Sequence, residues 1–408
     1  MKANSKIIGF DNLAKQFRLP LKELTIISKS FEPLNGKIKI VGGAVRDLIE
    51  KKTIQDCDIV TDLNPEEVKK CLKKKKIKFL ETGIKFGTLT INLNKFIIQI
   101  TSLRQDLKPD GRWTEVNYTK DWNLDSKRRD FTINSIYLDL SGNIFDPFNG
   151  INDLKKKKIH FIGNPKKRIE EDYLRILRFF RFSFKYSNNF EIHGLRACKK
   201  AISKLKLISA ERKIGELKKM ILFKSFEDNI KFLDEIKFFF YIFEEEINLK
   251  NYQKFFYIER KYKLSDIDRR LKFFLIELEK RKEINLLKVL GKRFTKRLFS
   301  KVNFKNYDSN TLNHILLKND KKIVTDQLIF DFKDGFVNNK KFEYILKKIK
   351  SWKKKEMPVN GDDLIKEGFK EGKIIGKKLK LIEKWWIEKN FKPGKTDCLN
   401  FAKTLPRS

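Results

Sequence analysis

The chain contains few residues of the kinds that build disulfide-rich or zinc-binding proteins. Its 408 residues include four cysteines and three histidines. The cysteines, at positions 57, 71, 198 and 398, have no C-x-x-C spacing and no pattern of a disulfide framework. These absences argue against a zinc site and against a small cross-linked fold, and they predict a protein suited to a reducing compartment.

Long apolar stretches are also missing. No part of the chain approaches the roughly 20 uninterrupted apolar residues of a membrane helix, and the N-terminal run M-K-A-N-S-K-I-I-G-F-D-N has no apolar signal-peptide core. We therefore expect a soluble, cytoplasmic protein without a membrane partner. With 40% hydrophobic and 12% aromatic residues, the chain can bury a sizeable core, and its length favours several domains.

Acidic residues are scarce relative to basic ones. The chain has 92 Lys+Arg against 53 Asp+Glu, a formal net charge of +39. Such an excess indicates a polyanionic partner, because basic surfaces attract phosphate backbones. A compositional drift toward lysine is the alternative source of this excess, so charge alone leaves nucleic-acid binding open.

Residues 38–62 hold the densest set of chemically informative residues, I-K-I-V-G-G-A-V-R-D-L-I-E-K-K-T-I-Q-D-C-D-I-V-T-D. An apolar run stops at Gly42 and Gly43 and an amphipathic segment follows, which predicts a strand, a glycine turn and a helix. Glycines let the backbone approach a bound group closely, and the amides that open a helix attract anions. The turn is therefore a candidate triphosphate site.

Asp56 and Asp58 mark the start of the next predicted strand. Because they are two residues apart, their carboxylates leave the same face of the strand. Adjacent carboxylates repel each other unless a cation lies between them, and Mg²⁺ is the expected cation because it prefers hard oxygen ligands and phosphates. An edge strand with two solvated aspartates is the ordinary alternative, but the glycine turn directly upstream favours the metal site.

The runs G-G-A-V-R-D and D-C-D-I-V-T-D together resemble the first motif of class II tRNA nucleotidyltransferases and bacterial poly(A) polymerases. These enzymes belong to the polymerase-beta nucleotidyltransferase superfamily. The resemblance implies that Gly42, Gly43 and Arg46 hold the incoming triphosphate. It also implies that Asp56 and Asp58 are the catalytic residues that bind the metal.

Two helical boundaries are predicted around residues 38–62. Pro20 predicts a break between short N-terminal helices. The run Asn64-Pro65-Glu66-Glu67 predicts a helix start with Asn64 as N-cap and Pro65 at the first helical position, and this helix turns Val68 and Leu72 inward.

Two further strands are predicted at 88–93 and 96–101, joined like a hairpin. The resemblance often places a third acidic residue here, beside the aspartate pair, and this chain has Gln99. A neutral amide binds Mg²⁺ poorly, so the third metal ligand is left open. Residues 104–125 are polar and contain Pro109 and Gly111; they suit a surface loop or, by the resemblance, a lever that moves between nucleotide additions.

The run R-R-D-F-T-I-N at 128–134 matches a second motif of the same family. We predict a helix that carries Asp130 and Asn134 on one face and buries the apolar residues between them. By the resemblance these residues contact ribose and phosphates, which makes Arg129 and Asp130 candidates for recognising a 2′-hydroxyl. A solvated, ion-paired helix start is the ordinary alternative.

The run R-I-E-E-D-Y-L-R-I-L-R-F-F-R-F at 168–182 predicts one amphipathic helix with Asp172 and Arg175 as neighbours and Arg178 and Arg181 along the same edge. It resembles the family's E-D-x-x-R template, which selects CTP and ATP. Cytosine N4 and adenine N6 donate hydrogen bonds and suit a carboxylate, and the adjacent ring acceptor suits a guanidinium. The two later arginines would then face phosphates; an ion-paired basic helix is the alternative.

Later segments are less specific. The run Ser209-Ala210-Glu211-Arg212 resembles a further family motif, which we interpret as a structural helix start. Amphipathic helices are predicted beyond it, among them 230–243, 269–278 and 283–290. Near the end, one of the adjacent Trp385 and Trp386 is expected in a core, because neighbouring side chains on a helix point apart. No histidine is followed by aspartate, so the phosphohydrolase domain of some relatives is not indicated.

These motifs predict an α+β fold with an N-terminal polymerase-beta-like nucleotidyltransferase head, 1–150, followed by all-helical parts. The helical parts are predicted to be a neck for nucleotide selection, 151–220, a body, 221–350, and a tail that binds tRNA, 351–408. The predicted reaction is CCA addition to tRNA from CTP and ATP, with Mg²⁺ as cofactor and no DNA partner. A poly(A) polymerase or a partial enzyme that adds only CC or only A is the alternative. A catalytically dead basic RNA-binding protein is more remote.

Overall fold

The computed structural model describes residues 5–93, 96–106, 116–187, 189–276, 289–304 and 309–406. The chain forms two compact units, Met1–Glu246 and Ile247–Ser408. The first unit contains a mixed sheet followed by helices, and the second contains helices. The predicted α+β architecture is confirmed, and none of the described helices is long and apolar enough to cross a membrane.

A seven-stranded sheet organises the first unit, in the order β3-β4-β5-β2-β1-β8-β9. Its strands are β1 Ile38–Val41, β2 Cys57–Thr61, β3 Phe79–Gly83, β4 Thr88–Leu93, β5 Phe96–Ser102, β8 Tyr137–Leu138 and β9 Ile144–Phe145. β2 pairs with β5 in parallel, and the other described pairs of this sheet are antiparallel. Two short strands, β6 Arg104–Asp106 and β7 Val116–Tyr118, pair separately. The predicted strands around Gln99 are confirmed, whereas β3 was not predicted.

The alternation along β2 separates core residues from site residues. Cys57 and Ile59 are fully buried in the main core, whereas Asp58 leaves the opposite face. Four helices pack their apolar sides into that core: α1 Phe10–Gln16, α2 Leu21–Phe31, α3 Gly43–Ile49 and α4 Pro65–Lys74. The predicted break between α1 and α2 lies at Pro20.

The start of α4 follows the predicted capping chemistry. Asn64 accepts a hydrogen bond from the Glu67 amide at 2.9 Å, and the Glu67 carboxylate accepts one from the Asn64 amide at 2.8 Å. Pro65 occupies the first helical position, where its missing N–H has no cost. Val68 and Leu72 are buried as expected. The cap therefore satisfies the first turn of α4, and the buried side of this helix belongs to the core.

The predicted helix at 128–134 is wrong. The helix α5, Trp122–Arg128, ends there, Arg129 and Phe131 have extended backbones, and Thr132–Asn134 form a single 3₁₀ turn. The burial of Phe131 favours the extended backbone over a helix. Its side chain is fully buried against the Phe161 and Phe182 rings, and the extended backbone places it there. Tertiary packing overrides the local helical pattern.

The predicted single helix at 168–182 is also wrong. The chain forms α7, Pro165–Glu171, and α8, Leu174–Tyr186, separated by Asp172 in an extended conformation at φ −158° and ψ 107°. The Asp172 carboxylate accepts a hydrogen bond from the Leu174 amide at 3.0 Å and so competes with helix continuation. Similarly, the predicted helix at 230–243 is interrupted at Lys237, whose φ is 60°.

The rest of the first unit is helical. Its further helices are α6 Gly150–Lys155, α9 Ile192–Ala201, α10 Ala210–Met220, α11 Lys224–Asp228, α12 Ile230–Glu235 and α13 Phe238–Phe243. Helix α10 packs along α8. Phenylalanine rings fill the space behind α8, where Phe179 stacks on Phe161 with ring centroids 5.6 Å apart. This core gives α8 a rigid support.

Described helices of the second unit are Tyr252–Lys261, Ile267–Leu275, Lys292–Phe299, Ser309–Lys318, Lys321–Lys333, Asn339–Ser351, Gly361–Lys366, Lys373–Glu388 and Lys395–Thr404. A buried ionic network joins three of them, with Asp326 accepting hydrogen bonds from Arg269 and Arg297, each at 2.7 Å. Trp386 is buried in the C-terminal core, as expected for one of the tryptophan pair, and Trp385 stacks on Phe401 at 4.5 Å. The predicted helix at 283–290 lies mostly outside the described residues.

Candidate active site

A single cavity of about 720 Å³ in the first unit is lined by all twelve residues that the sequence motifs singled out. They are Gly42, Gly43, Arg46, Asp56, Asp58, Arg129, Asp130, Asn134, Asp172, Arg175, Arg178 and Arg181. Three motifs that are separated in the sequence therefore meet at one place. Nine basic and five acidic side chains line this cavity, a balance that suits a polyanionic ligand with bound cations.

The glycine turn has a backbone conformation that excludes other residues. Gly42 has φ 75° and ψ −126°, a region essentially restricted to glycine. A Cβ added at Gly42 would lie 3.8 Å from an Asp58 carboxylate oxygen. The turn thus brings bare backbone beside the aspartates, and α3 begins at the next residue.

The aspartate pair faces the cavity from the start of β2, beside the end of β1. Asp58 pairs with Val41 on β1 and with Gln99 on β5, so Gln99 is the residue beside the aspartate on the neighbouring strand. Burial raises the pKa of the Asp58 carboxyl; Arg129 opposes this shift, and the Asp56 charge adds to it. A bound cation would relieve that repulsion, so the pair fits a hard divalent metal. In the described part of the chain, no cluster of three or more His, Cys, Asp or Glu side chains forms a metal site.

Arg46 ties the first motif to the second. The residue is 6% exposed, and its guanidinium donates to the Asn134 side chain and to the Ile133 carbonyl at 3.3 Å. It lies 5.3 Å from the ring centroids of both Phe182 and Tyr186. Its buried Nε has no hydrogen-bond partner among the described residues, which leaves one donor for a ligand.

Asp125 is a buried carboxylate beside the site that the sequence analysis did not single out. It is fully buried and accepts hydrogen bonds from Arg128 at 2.8 Å, from Arg129 at 3.0 and 3.1 Å, and from the Tyr137 hydroxyl at 2.8 Å. Burial opposes its ionisation, but Arg129 and Arg128 hold the pKa of the Asp125 carboxyl below its ordinary value. Asp125 thereby fixes Arg129, the cation that acts on the pKa of Asp58. Its position shortly before the R-R-D run was the available signal.

Asp130 joins the second motif to α8. One carboxylate oxygen accepts from Arg178 Nε at 2.6 Å, and the other accepts from Asn134 Nδ2 at 2.7 Å and from the Phe131 amide at 3.0 Å. Although burial opposes ionisation, Arg178 holds the pKa of this carboxyl below its ordinary value. Asp130 and Asn134 are therefore in contact, as predicted, but across a 3₁₀ turn instead of along a helix.

Asp172 and Arg175 line the same cavity with different partners. Asp172 accepts from Arg212 Nη2 at 2.7 Å, and Arg175 donates to the Glu171 carboxylate at 2.5 Å and to the Arg168 carbonyl at 2.8 Å. The expected neighbour relation survives only through the backbone, where the Arg175 amide donates to the Asp172 carbonyl at 3.0 Å. Each group is thus held separately.

Helix α10 contributes Arg212 and Lys219 to the cavity lining and Glu216 behind it, although its motif was interpreted as structural. Arg212 lines the cavity, and Glu216, one turn later, lies 2.7 Å from Arg181 Nε and 4.0 Å from Arg178. Their four-residue spacing, which puts both on one face of a helix, was the signal that could have found them. The other lining residues not predicted as site residues are Phe86, Arg104, Arg128, Glu171, Leu174 and Phe182.

Nucleotidyl transfer is the chemistry that this cavity fits, and comparison with known proteins supports this class of enzyme. Residues 38–160 match the family described as the Poly A polymerase head domain. The chain is 32% identical to the mitochondrial CCA tRNA nucleotidyltransferase 1 of Homo sapiens over 94% of this chain and 89% of that protein. It is 30% identical to the CCA-adding enzyme of Ligilactobacillus salivarius, over 97% and 98% respectively. The chain belongs to the family of CCA-adding tRNA nucleotidyltransferases.

Solved structures share this fold. The Bacillus stearothermophilus CCA-adding enzyme in complex with CTP superposes with a TM-score of 0.69 at 22% identity, over 94% of this chain and 97% of that one. The Thermotoga maritima CCA-adding enzyme complexed with tRNA-CCA has a TM-score of 0.60 at 22% identity, over the full length of both chains. The nucleotidyltransferase head followed by helices is therefore confirmed as the fold class.

Proposed function

We propose that this protein completes the 3′ end of tRNA with CCA, using CTP and ATP and no nucleic-acid template. The observation that carries the proposal is the convergence of twelve residues from three separated motifs in one cavity. Relatives that are named as CCA-adding enzymes align with this chain over nearly their whole length, which supports the proposal. The formal charge of +39 suits tRNA as the partner.

The reaction is an in-line displacement at phosphorus. The 3′-hydroxyl oxygen of the RNA forms a bond to the α-phosphorus of the nucleotide, the bond from that phosphorus to the bridging oxygen breaks, and pyrophosphate leaves. Gly42, Gly43 and Arg46 would accommodate the triphosphate, with the free Nε of Arg46 as a donor. Asp56 and Asp58 would hold Mg²⁺, which supplies Lewis-acid activation of the hydroxyl and neutralises phosphate charge when bound. Gln99 would leave these two carboxylates as the protein's acidic ligands.

The ribose and the base would meet different walls of the cavity. Three of about four acceptor positions of the Asp130 carboxylate are occupied by protein donors, which leaves one for a 2′-hydroxyl beside Arg129. Asn134 braces Asp130. Asp172 would accept from the amino group of cytosine or adenine, and Arg175 would donate to the adjacent ring nitrogen.

Arg178 and Arg181 complete the phosphate side of the cavity. Both already have carboxylate partners, Asp130 and Glu216, at 2.6 and 2.7 Å. These pairs would hold the guanidinium groups in place for a triphosphate that passes between them. The division into head, neck, body and tail at 150, 220 and 350 remains part of the proposal, as does a cytoplasmic location. Fractionation of cells that express a tagged chain would test the location.

The test is nucleotide addition to purified tRNA that ends before CCA, with CTP alone, ATP alone, and both together. We expect two cytidines with CTP alone and a completed CCA end with both. Failure to incorporate CTP would contradict CCA addition. The match to the Poly A polymerase head domain also fits the alternative, a poly(A) polymerase. Long adenosine tails formed from ATP alone would support that alternative. Asp56→Ala should abolish all addition while tRNA binding is nearly unchanged, whereas activity in that variant would contradict the proposed site.

A further inference from the structure

Arg212 contacts Asp172 from the opposite wall of the cavity. Arg212 belongs to α10, and its Nη2 donates to the Asp172 carboxylate at 2.7 Å, across 40 residues of sequence. Both side chains are 22% exposed. An exposed ion pair contributes little because solvent screens it, but this pair is mostly withdrawn from water and lies at the cavity surface.

The two oxygens of Asp172 are held from two directions. One accepts from the Leu174 amide at 3.0 Å, and the other accepts from Arg212. A carboxylate with only one partner rotates about its terminal bond, whereas one with a partner on each oxygen keeps a fixed plane. A carboxylate has about four acceptor positions. Two protein donors therefore leave positions available for a donor inside the cavity.

Arg175 is held independently of this pair. Its guanidinium donates to Glu171 and to the carbonyls of Arg168 and Arg128, at 2.5, 2.8 and 3.1 Å. Asp172 and Arg175 therefore do not orient each other through their side chains. The orientation of the carboxylate depends on α10, and that of the guanidinium depends on α7.

We propose that Arg212 is a positioning residue for nucleotide selection, and this inference rests on the proposed CCA-adding function. By fixing the plane of the Asp172 carboxylate, Arg212 presents an acceptor to the amino group of cytosine or adenine. The same acceptor repels the carbonyl oxygens of uracil and guanine. When the carboxylate rotates freely, it can also accept from the ring N–H of uracil or guanine. Loss of Arg212 then relaxes the choice of nucleotide.

Helix α10 also supplies a matched comparison. Glu216 lies one turn after Arg212 and contacts Arg181 and Arg178, without a bond to Asp172. Glu216→Gln weakens the contact between α10 and α8 and leaves the Asp172 carboxylate held. Arg196 lies on α9, is exposed and does not line the cavity, so Arg196→Gln makes the same chemical change at a neutral place.

The experiment compares wild type with Arg212→Gln, Arg212→Lys, Glu216→Gln and Arg196→Gln. Single additions are measured as kcat/KM for CTP and UTP on tRNA that lacks CCA, and for ATP and GTP on tRNA that ends in CC. In Arg212→Gln we expect the CTP/UTP and ATP/GTP ratios to fall about tenfold or more, because one well-oriented contact sets the discrimination. The ratios of Arg212→Lys should lie between those of wild type and Arg212→Gln, because lysine keeps the charge and lacks the planar guanidinium group. Glu216→Gln should lower all four values in parallel, and Arg196→Gln should match wild type.

Ratios in Arg212→Gln within about twofold of wild type would overturn the inference, as would a parallel loss like that expected for Glu216→Gln. If Arg212→Gln does not fold, as judged by thermal unfolding, the Arg212→Lys ratios decide, and wild-type ratios there count against the inference. Failure of the proposed function is a separate result, because it is seen in the wild-type protein as absent CTP incorporation. The ATP/GTP comparison then still tests Arg212 in a protein that adds only adenosine.

Discussion

Arg178 donates to the Asp130 carboxylate at 2.6 Å, across 48 residues of sequence. The bond joins the turn after α5 to the middle of α8, and Asp130 is 6% exposed. Double-mutant cycles with Asp130→Asn and Arg178→Met should give a coupling free energy of unfolding of about 0.5–3 kcal/mol. Urea denaturation measures it, and additive effects of the two single changes would show that the pair is not coupled.

Gly42→Ala should destabilise the protein, because alanine is strained at φ 75° and ψ −126°. The expected loss is about 1–3 kcal/mol in the free energy of unfolding. Gly43→Ala is the matched control: an added Cβ there meets no described atom within 4 Å, and the residue begins a helix. Denaturant unfolding should show Gly43→Ala at or above wild-type stability. Equal losses in both variants would contradict the conformational argument.

Asp125→Asn should lower stability at neutral pH by about 3 kcal/mol, because it leaves two partly buried arginines without their carboxylate. The pKa of Asp125 is lower in the folded protein than its ordinary value. Folding therefore favours the ionised form, and this stabilisation is complete above the unfolded pKa of about 3.9 and is lost as the pH falls below it. Urea unfolding at a series of pH values should show wild type and Asp125→Asn converging in acid.

Tyr137→Phe is the control for that prediction. It removes one hydroxyl, which donates to Asp125 at 2.8 Å and accepts from Arg129 at 2.9 Å, and it leaves both arginine contacts of Asp125 intact. We expect a loss of about 1 kcal/mol and most of the acid dependence of wild type, because the two arginine charges lower the pKa of Asp125 more than the hydroxyl does. A difference between wild type and Asp125→Asn that stays constant from neutral to acid pH would contradict the assignment.

Asp58→Asn should raise the melting temperature of the metal-free protein while it abolishes nucleotide addition. Burial, with the Asp56 charge adding to it, raises the pKa of the Asp58 carboxyl, so its charge is unfavourable in the folded state above that pKa. Added Mg²⁺ should raise the melting temperature of wild type and have a smaller effect on Asp58→Asn. An equal response of both proteins to Mg²⁺, measured by thermal unfolding, would count against a metal at this pair.

Sequence patterns predicted the strands and the first helices well, because these depend on local alternation and capping. The β2 alternation, the Asn64 cap and the break at Pro20 are examples. Patterns failed at 128–134 and at Asp172, where helical periodicity continues through residues that the fold holds extended. In both places a buried ring or a side-chain hydrogen bond stabilises the extended backbone by more than the helical preference of a few residues, which is small.

All twelve predicted site residues line the cavity. They could be predicted because the residue types of each motif indicate its chemistry. Asp125, Arg212 and Glu216 were not predicted as site residues, since each acts through another side chain. A carboxylate that orients an arginine looks like any other ion-pair partner until its neighbours in space are known.

The sequence by itself determined the kind of chemistry, the glycine turn with its paired aspartates and the split between a mixed head and helical parts. Residue type and spacing carry that information, because charge, metal preference and backbone freedom are local properties. Only the tertiary structure decided which charged side chains contact each other. Asp172 is fixed by Arg212 and not by Arg175, and Arg129 by Asp125. Such contacts depend on how α10 packs along α8 and how α5 meets the sheet, and a linear spacing does not record these distances.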